Sequence, residues 1–293
     1  MTPRLLPALA LLVTALLLAG CARPPELIGV DNPAKPALAV AGVVPNTVFI
    51  ATTRRQSDQP GALYASGRAR QLGLASVVVT IPPGHAAGEV ERARTLPPDP
   101  ARDFAVVDPR IYDSERAFVA SVDAALAARA PGDREVLLFI HGYNNTLSDS
   151  VLRIAQFVND TGFRGVPVLF SWASAGKATH YVYDLNSALA ARPLLEQTSA
   201  VLIRTKARRF NLFAHSMGAF VAMETMLQSS LRGNFASSGR LANVMLAAPD
   251  IDIDLFRAQM GQIGNAGGNG KGQNGRSIVG NQFGEQACHQ IDK

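Results

Sequence analysis

The chain has 293 residues, 47% of them hydrophobic and 17% charged, which is enough apolar side chain for a sizeable core and too little charge for a disordered chain or a coiled coil. That length suits one large α/β domain or two small ones. Lys and Arg exceed Asp and Glu by 28 to 23, but the densest basic clusters are pairs such as Arg54-Arg55 and Arg208-Arg209, which argues against nucleic acid as a partner.

In chain order, residues 1–20 read as a secretory signal: Arg4 supplies the positive start, and Leu5 to Leu18 form an apolar run broken only by Pro7 and Thr14. Leu18-Ala19-Gly20-Cys21 resembles the lipobox of bacterial lipoproteins, in which the cysteine is acylated and becomes the mature N-terminus. The resemblance implies a lipid anchor at Cys21, stable because several acyl chains insert together. With Ala22 rather than aspartate following, it also implies the cell envelope, at the periplasmic face of a Gram-negative outer membrane. The other cysteine, Cys288, cannot complete a disulfide framework with so few partners. Residues 21–45 carry Pro24, Pro25, Pro33, Pro36 and Pro45 among small residues and are expected to form a lipidated, extended tether.

Val48 to Ala51 and Ala75 to Ile81 are β-branched apolar runs suited to strands. Ser114 is expected to open a helix through Ala128, with Phe118, Val122, Ala125 and Leu126 on one face and Glu115 in the first turn. The pattern then becomes regular. Strands are expected at Val136–Ile140, Val166–Ser171, Phe210–Ala214 and Val244–Ala248, with helices over Ser148–Asp160, Leu185–Ala207 and Met217–Leu231. Strands apolar at every position, separated by helices, imply a mostly parallel sheet covered on both faces.

Between one such strand and its following helix lies Ala214-His215-Ser216-Met217-Gly218. This is the small-x-Ser-x-Gly pattern of a nucleophile elbow, with alanine in place of the first glycine. Small flanking residues let strand and helix approach around a serine on a tight, strained turn. The Met217 N–H then sits at a helix N-terminus, where it can face an oxyanion. A helix N-cap is the plain alternative for Ser216. The earlier strand ends in His141-Gly142-Tyr143-Asn144-Asn145, and a loop at that place supplies the second oxyanion N–H in α/β-hydrolases. Gly142 and Tyr143 are assigned to it, the Tyr143 amide as donor.

Taken together, FIHGYNNT, VPVLFSWAS, YVYDLNSALAARP, AHSMG and VMLAAPDIDID, with VFIATTRR near Val48, resemble a family of bacterial, serine esterase-like α/β-hydrolase-fold proteins, many of them lipoproteins, over about Val48 to Phe256. The likeness implies an α/β-hydrolase fold over residues 46–260 and maps the functional serine onto Ser216. It implies a mechanism more than a substrate. In these folds the chain order is Ser, then Asp or Glu, then His. Asp250 follows the next strand and is taken as the acid. His289, C-terminal to the serine, is taken as the base.

The chain departs from the pattern at its end. Gly261 to Ala287 holds nine glycines, four asparagines and four glutamines in 27 residues, a composition that cannot build a central strand and reads as a flexible tail over 261–293. A frameshift or truncation of the coding sequence would produce such a change, so the sheet is expected to lack its last strand and helix. His141 reads as a buried loop residue, His85 as a surface loop residue. Trp172, His180, Tyr181, Tyr183 and Asp184 are candidates for a pocket wall. There is no Walker loop, H-E-x-x-H or G-x-G-x-x-G, so neither cofactor nor metal is expected. The reading is a membrane-anchored serine hydrolase acting on a small acyl substrate through an acyl-enzyme at Ser216. The alternative is a catalytically impaired relative serving as a binding or envelope module. Oligomeric state is open.

Overall fold

The computed structural model describes residues 23–235 and 237–267. The expected signal, Cys21, and residues 268–293 of the expected 261–293 tail, with Cys288 and His289, lie outside the described residues; residues 261–267 of that tail instead complete a helix.

Seven strands form one sheet: β1 (Val44–Gln56), β2 (Tyr64–Ile81), β3 (Ala105–Ile111), β4 (Glu135–Ile140), β5 (Val166–Ser171), β6 (Arg209–His215) and β7 (Leu241–Ala247). Their order is β3-β2-β1-β5-β4-β6-β7. The pairs β1–β5, β5–β4, β4–β6 and β6–β7 are parallel, while β1–β2 and β2–β3 are antiparallel. Among the described residues, five α-helices accompany them: α1 (Glu115–Ala127), α2 (Leu147–Asp160), α3 (Tyr181–Ile203), α4 (Met217–Leu231) and α5 (Ile253–Gly267). This is the mostly parallel, α/β-hydrolase-like sheet expected from the sequence.

The central strands are apolar throughout because both sheet faces are covered. Val136 to Ile140 and all of β5 are buried. On one face, Val151, Ile154 and Val158 of α2 pack with Ile50, Val77 and Leu169. On the other, Phe118 and Val122 of α1, Leu195 of α3 and Ala219 of α4 pack with Leu138, Val168 and Phe170. Local signals set the helix starts. Ser114 Oγ accepts from the Ala117 N–H, and Thr146 with Asp149 forms a reciprocal capping box at α2. The third helix begins at Tyr181 and stops at Ile203 rather than Ala207, where the Thr205 hydroxyl takes the Leu202 carbonyl at 2.7 Å.

Three expectations change. The segment from Arg23 to Val43 is no free tether. Leu27 is fully buried, Ile28 bridges Gly61 and Val106, and Ala37 is buried. A proline-rich stretch sets an extended backbone, and that backbone still lends side chains to a core. Strand β3 went unread because Asp108-Pro109 looks like a turn; it is an edge strand, where proline is tolerated. In the first half of β2 every residue from Ala65 to Gly73 is half-buried or exposed, and its polar and small side chains, such as Ser66, Arg68 and Gln71, offer no apolar run to read. Among the described residues β7 is the last strand, and α5 follows it, packing Ile263 on Met223 and Met226 of α4.

Strand β5 lies on one side of β4 and β6 on the other, so the winding reverses at β4. In open α/β sheets the crevice outside the carboxyl ends of the strands at such a reversal is where ligands bind. The loop after β4 and the serine after β6 meet there.

Candidate active site

Ser216 follows β6 with φ 51° and ψ −126°, a left-handed conformation that costs a non-glycine residue energy and persists only where its surroundings hold it. Three backbone bonds hold it: its N–H donates to Ala247 at 3.0 Å, and its carbonyl accepts from Ala219 at 2.9 Å and Asp250 at 3.3 Å. The hydroxyl makes no capping bond to α4, and the residue is half-buried. The simple N-cap role therefore does not describe it.

Both glycines of the region are required by close approach. A Cβ on Gly218 would lie 2.7 Å from the Ile140 carbonyl and closer still to that of His141, so the first turn of α4 rests on the end of β4. A Cβ on Gly142 would stand 2.9 Å from Ser216 Cβ and 2.8 Å from His215 Nδ1. The 214 position tolerates alanine because that side chain enters the core, fully buried.

Buried polar groups shape the loop from His141 to Thr146. The Arg54 guanidinium, nearly sealed from solvent, donates to Ser171 Oγ at 2.8 Å, the Ser174 carbonyl at 2.9 Å and the Asn145 carbonyl at 2.7 Å. Burial lowers its pKa to about 10, which leaves it charged at neutral pH. Ser171 Oγ lies 3.3 Å from His141 Nε2, and His141 Nδ1 lies 2.8 Å from the Gly142 carbonyl. Nε2 also lies 3.1 Å from the Trp172 carbonyl: with the proton on Nδ1 the ring donates to Gly142 and accepts from Ser171, and with it on Nε2 the ring donates to Trp172. Burial, reinforced by Arg54, pulls the His141 pKa down to about 3, so the ring is neutral. It stacks on Trp172, whose indole N–H donates to the His141 carbonyl at 2.8 Å.

The consequence concerns the next peptide. Because a trans peptide points its carbonyl and N–H in opposite directions, tying the Gly142 carbonyl inward to His141 and Asn145 turns the Tyr143 N–H outward. Among the described residues, neither this amide nor that of Met217 has a protein acceptor. The Asn144 N–H donates to the buried carboxylate of Asp184 at 3.3 Å, which also accepts from Ser174 Oγ at 2.5 Å and the Ala175 N–H at 2.6 Å. Asp184 and Trp172 are thus framework behind the loop, and neither lines a pocket wall.

Tyr143 and Tyr181 meet edge to face at 5.3 Å, and the Tyr143 hydroxyl donates to the Ala178 carbonyl. Tyr181 Oη donates to Asp250 Oδ2 at 3.0 Å; burial and that carboxylate raise its pKa. His180 stands exposed at the start of α3, its ring 6.2 Å from that of Tyr183. The structure therefore brings Ser216, Met217, Gly142, Tyr143 and Asp250 together, while His289 and Cys21 lie outside the described residues. The structural role of Arg54 escaped the sequence reading, because one arginine of a basic pair in a strand names none of its partners some 90 to 120 residues away. His85 differs from expectation as well: its ring is held between Glu91 Oε2 at 2.7 Å and Asp160 Oδ1 at 2.8 Å. An apolar cavity of about 130 Å³ lined by Leu138, Leu195, Phe210 and Met226 lies toward the amino ends of the strands, away from Ser216.

Fold and site together define an α/β-hydrolase-fold protein. The chain belongs to the family described as alpha/beta hydrolase of unknown function (DUF900), whose model matches residues 116–272. The matched residues begin within α1, so the segment near Val48 lies outside them. No curated protein and no solved structure matches the chain.

Proposed function

We propose that the protein is a serine hydrolase that cleaves an ester or related acyl bond through an acyl-enzyme at Ser216. The observation that carries this reading is the half-buried serine held at φ 51° between β6 and α4, against Gly142. Ser216 Oγ bonds to the acyl carbon while its proton passes to a histidine; the ester C–O bond breaks and the departing alcohol takes that proton. Water then releases the acid by the same route. The amides of Met217 and Tyr143 face the negative charge that develops on the acyl oxygen. His141 is too deeply buried and too weakly basic to serve as the base; His289, C-terminal to the serine as the chain order of these folds requires, is proposed for that role, with Asp250 as the acid. A fluorophosphonate probe tests the reading. Labelling of the full chain that is lost in Ser216→Ala and slowed in His289→Gln supports it; a well-folded chain that resists the probe refutes it.

The chain is also proposed to be anchored by acylation of Cys21 at the periplasmic face of the outer membrane. Metabolic labelling with an alkynyl fatty acid should mark the wild type and not Cys21→Ser. One observation favours the second reading, a binding module without turnover: the Asp250 carboxylate is engaged by the Tyr181 hydroxyl. In that case ligand capture would be the same in wild type and Ser216→Ala.

A further inference from the structure

We infer that the candidate active site opens onto the bilayer and takes its ester from a membrane lipid with a zwitterionic headgroup. This rests on the serine hydrolase reading and on the anchor at Cys21.

Ser216 after β6, the loop after β4, the start of α3 after β5 and the start of α5 after β7 all lie at the carboxyl ends of the parallel strands. The amino-terminal segment reaches that same end. Arg23 donates to the Asn144 carbonyl at 2.9 Å and pairs with Asp149 at 3.3 Å, and the Leu27 N–H donates to Ser148 Oγ at 3.0 Å. Cys21 precedes Arg23 by two residues, a span of at most about 7 Å even when fully extended. Acyl chains on Cys21 would therefore enter the membrane beside the loop that carries the Tyr143 amide, with no linker long enough to let the domain turn its other end to the lipid.

The surface at this end suits such contact. Tyr181 is 44% exposed, Val182 70% and Ile253 57%, and Tyr181 reaches the site through Asp250. A single exposed apolar residue is ordinary, whereas several large ones bordering one cleft mark a contact surface. Asp250 and Asp252 outnumber the exposed Lys177 on the same border, Asp254 being paired with Arg257 at 3.2 Å; the remaining negative charge disfavours anionic headgroups and leaves a zwitterionic glycerolipid as the ester within reach.

The test uses the full, lipidated chain in vesicles of phosphatidylethanolamine and phosphatidylcholine. In a Cys288→Ser background, bimane is attached at Val182→Cys or, at the opposite end of the sheet, at Gly132→Cys. A headgroup-level nitroxide lipid should quench the label at 182 at least about threefold more than at 132. Equal quenching, or a shielded label at 182 that lipid does not quench because a second protein copy covers it, overturns the inference. In parallel, hydrolysis of a fluorogenic diacyl lipid in the vesicles is compared with hydrolysis of a soluble short-chain ester. Val182→Asp combined with Ile253→Asp should lower the ratio of the two rates about tenfold. An unchanged ratio, with the soluble ester still turned over, overturns the inference alone. Turnover of neither ester by folded wild type overturns the hydrolase reading together with its lipid substrate.

Discussion

Ser216 carries backbone strain that glycine would not, since glycine occupies φ near 51° at little cost. Ser216→Gly should stabilise the fold by about 0.5 to 1 kcal/mol in urea denaturation while removing probe labelling altogether. Gain of stability with loss of reaction would show that the turn is kept for the hydroxyl rather than for folding. A second residue-level effect concerns pH. Burial opposes charge on His85, but its hydrogen bonds to Glu91 and Asp160 outweigh that and raise its pKa. Burial likewise opposes charge on Asp160, yet bonds from the Gly88 amide, Gln156 and His85 hold its pKa down. The stability His85 contributes is complete below its unfolded pKa of about 6.5 and is lost as pH rises through the raised folded value. The Asp160 contribution is present above its unfolded value and is lost as pH falls through the lowered one. The thermal midpoint should therefore decline as pH rises above about 6.5, and His85→Gln should flatten that decline.

At the scale of elements, the site depends on how closely α4 approaches β4 and on what stiffens the loop between β4 and α2. Gly218→Ala puts a methyl group against two carbonyls and should cost about 1 to 3 kcal/mol, since neither strand nor helix can easily yield. Arg54→Met strands the carbonyls of Ser174 and Asn145 inside the fold, with a cost of about 3 kcal/mol or more. Its signature beyond stability is slower fluorophosphonate labelling at temperatures where the variant remains folded, because the Gly142 carbonyl and Tyr143 amide lose their fixed direction. The strand–serine–helix order was readable in advance because its signals are local: an apolar run, small residues at set spacing, then helical periodicity. The oxyanion loop was readable for the same reason. The Arg54–Ser171–His141 chain joins three strand ends far apart in sequence, and its members have no shared local pattern.

Across the whole molecule, the amino-terminal segment belongs to the domain. Leu27 is completely covered, within the cluster that includes Ile50, Val77 and Val151. Leu27→Ala should cost about 2 to 5 kcal/mol, measured as a shift in the urea midpoint. A flexible tether would show no change. The segment from Arg23, the loop of Tyr143 and Asn144, and the serine then lie at one end of the fold, with Arg23 bonded to the Asn144 carbonyl at 2.9 Å and the Leu27 N–H to Ser148 Oγ at 3.0 Å.

Periodicity and steric signature, both written within spans of five to twenty residues, were enough to read the parallel core, four of the five helices and the serine on its turn. Chain folding settled which histidine is buried as a neutral prop, which carboxylates are framework and which borders the serine, and that Leu27 belongs to the core. Those outcomes depend on contacts between different elements, from 10 residues apart for Asp184 and Ser174 to 121 for Leu27 and Ser148. A proline-rich run, an arginine in a basic pair or a histidine in a loop has the same local appearance whether it ends up in solvent or sealed inside.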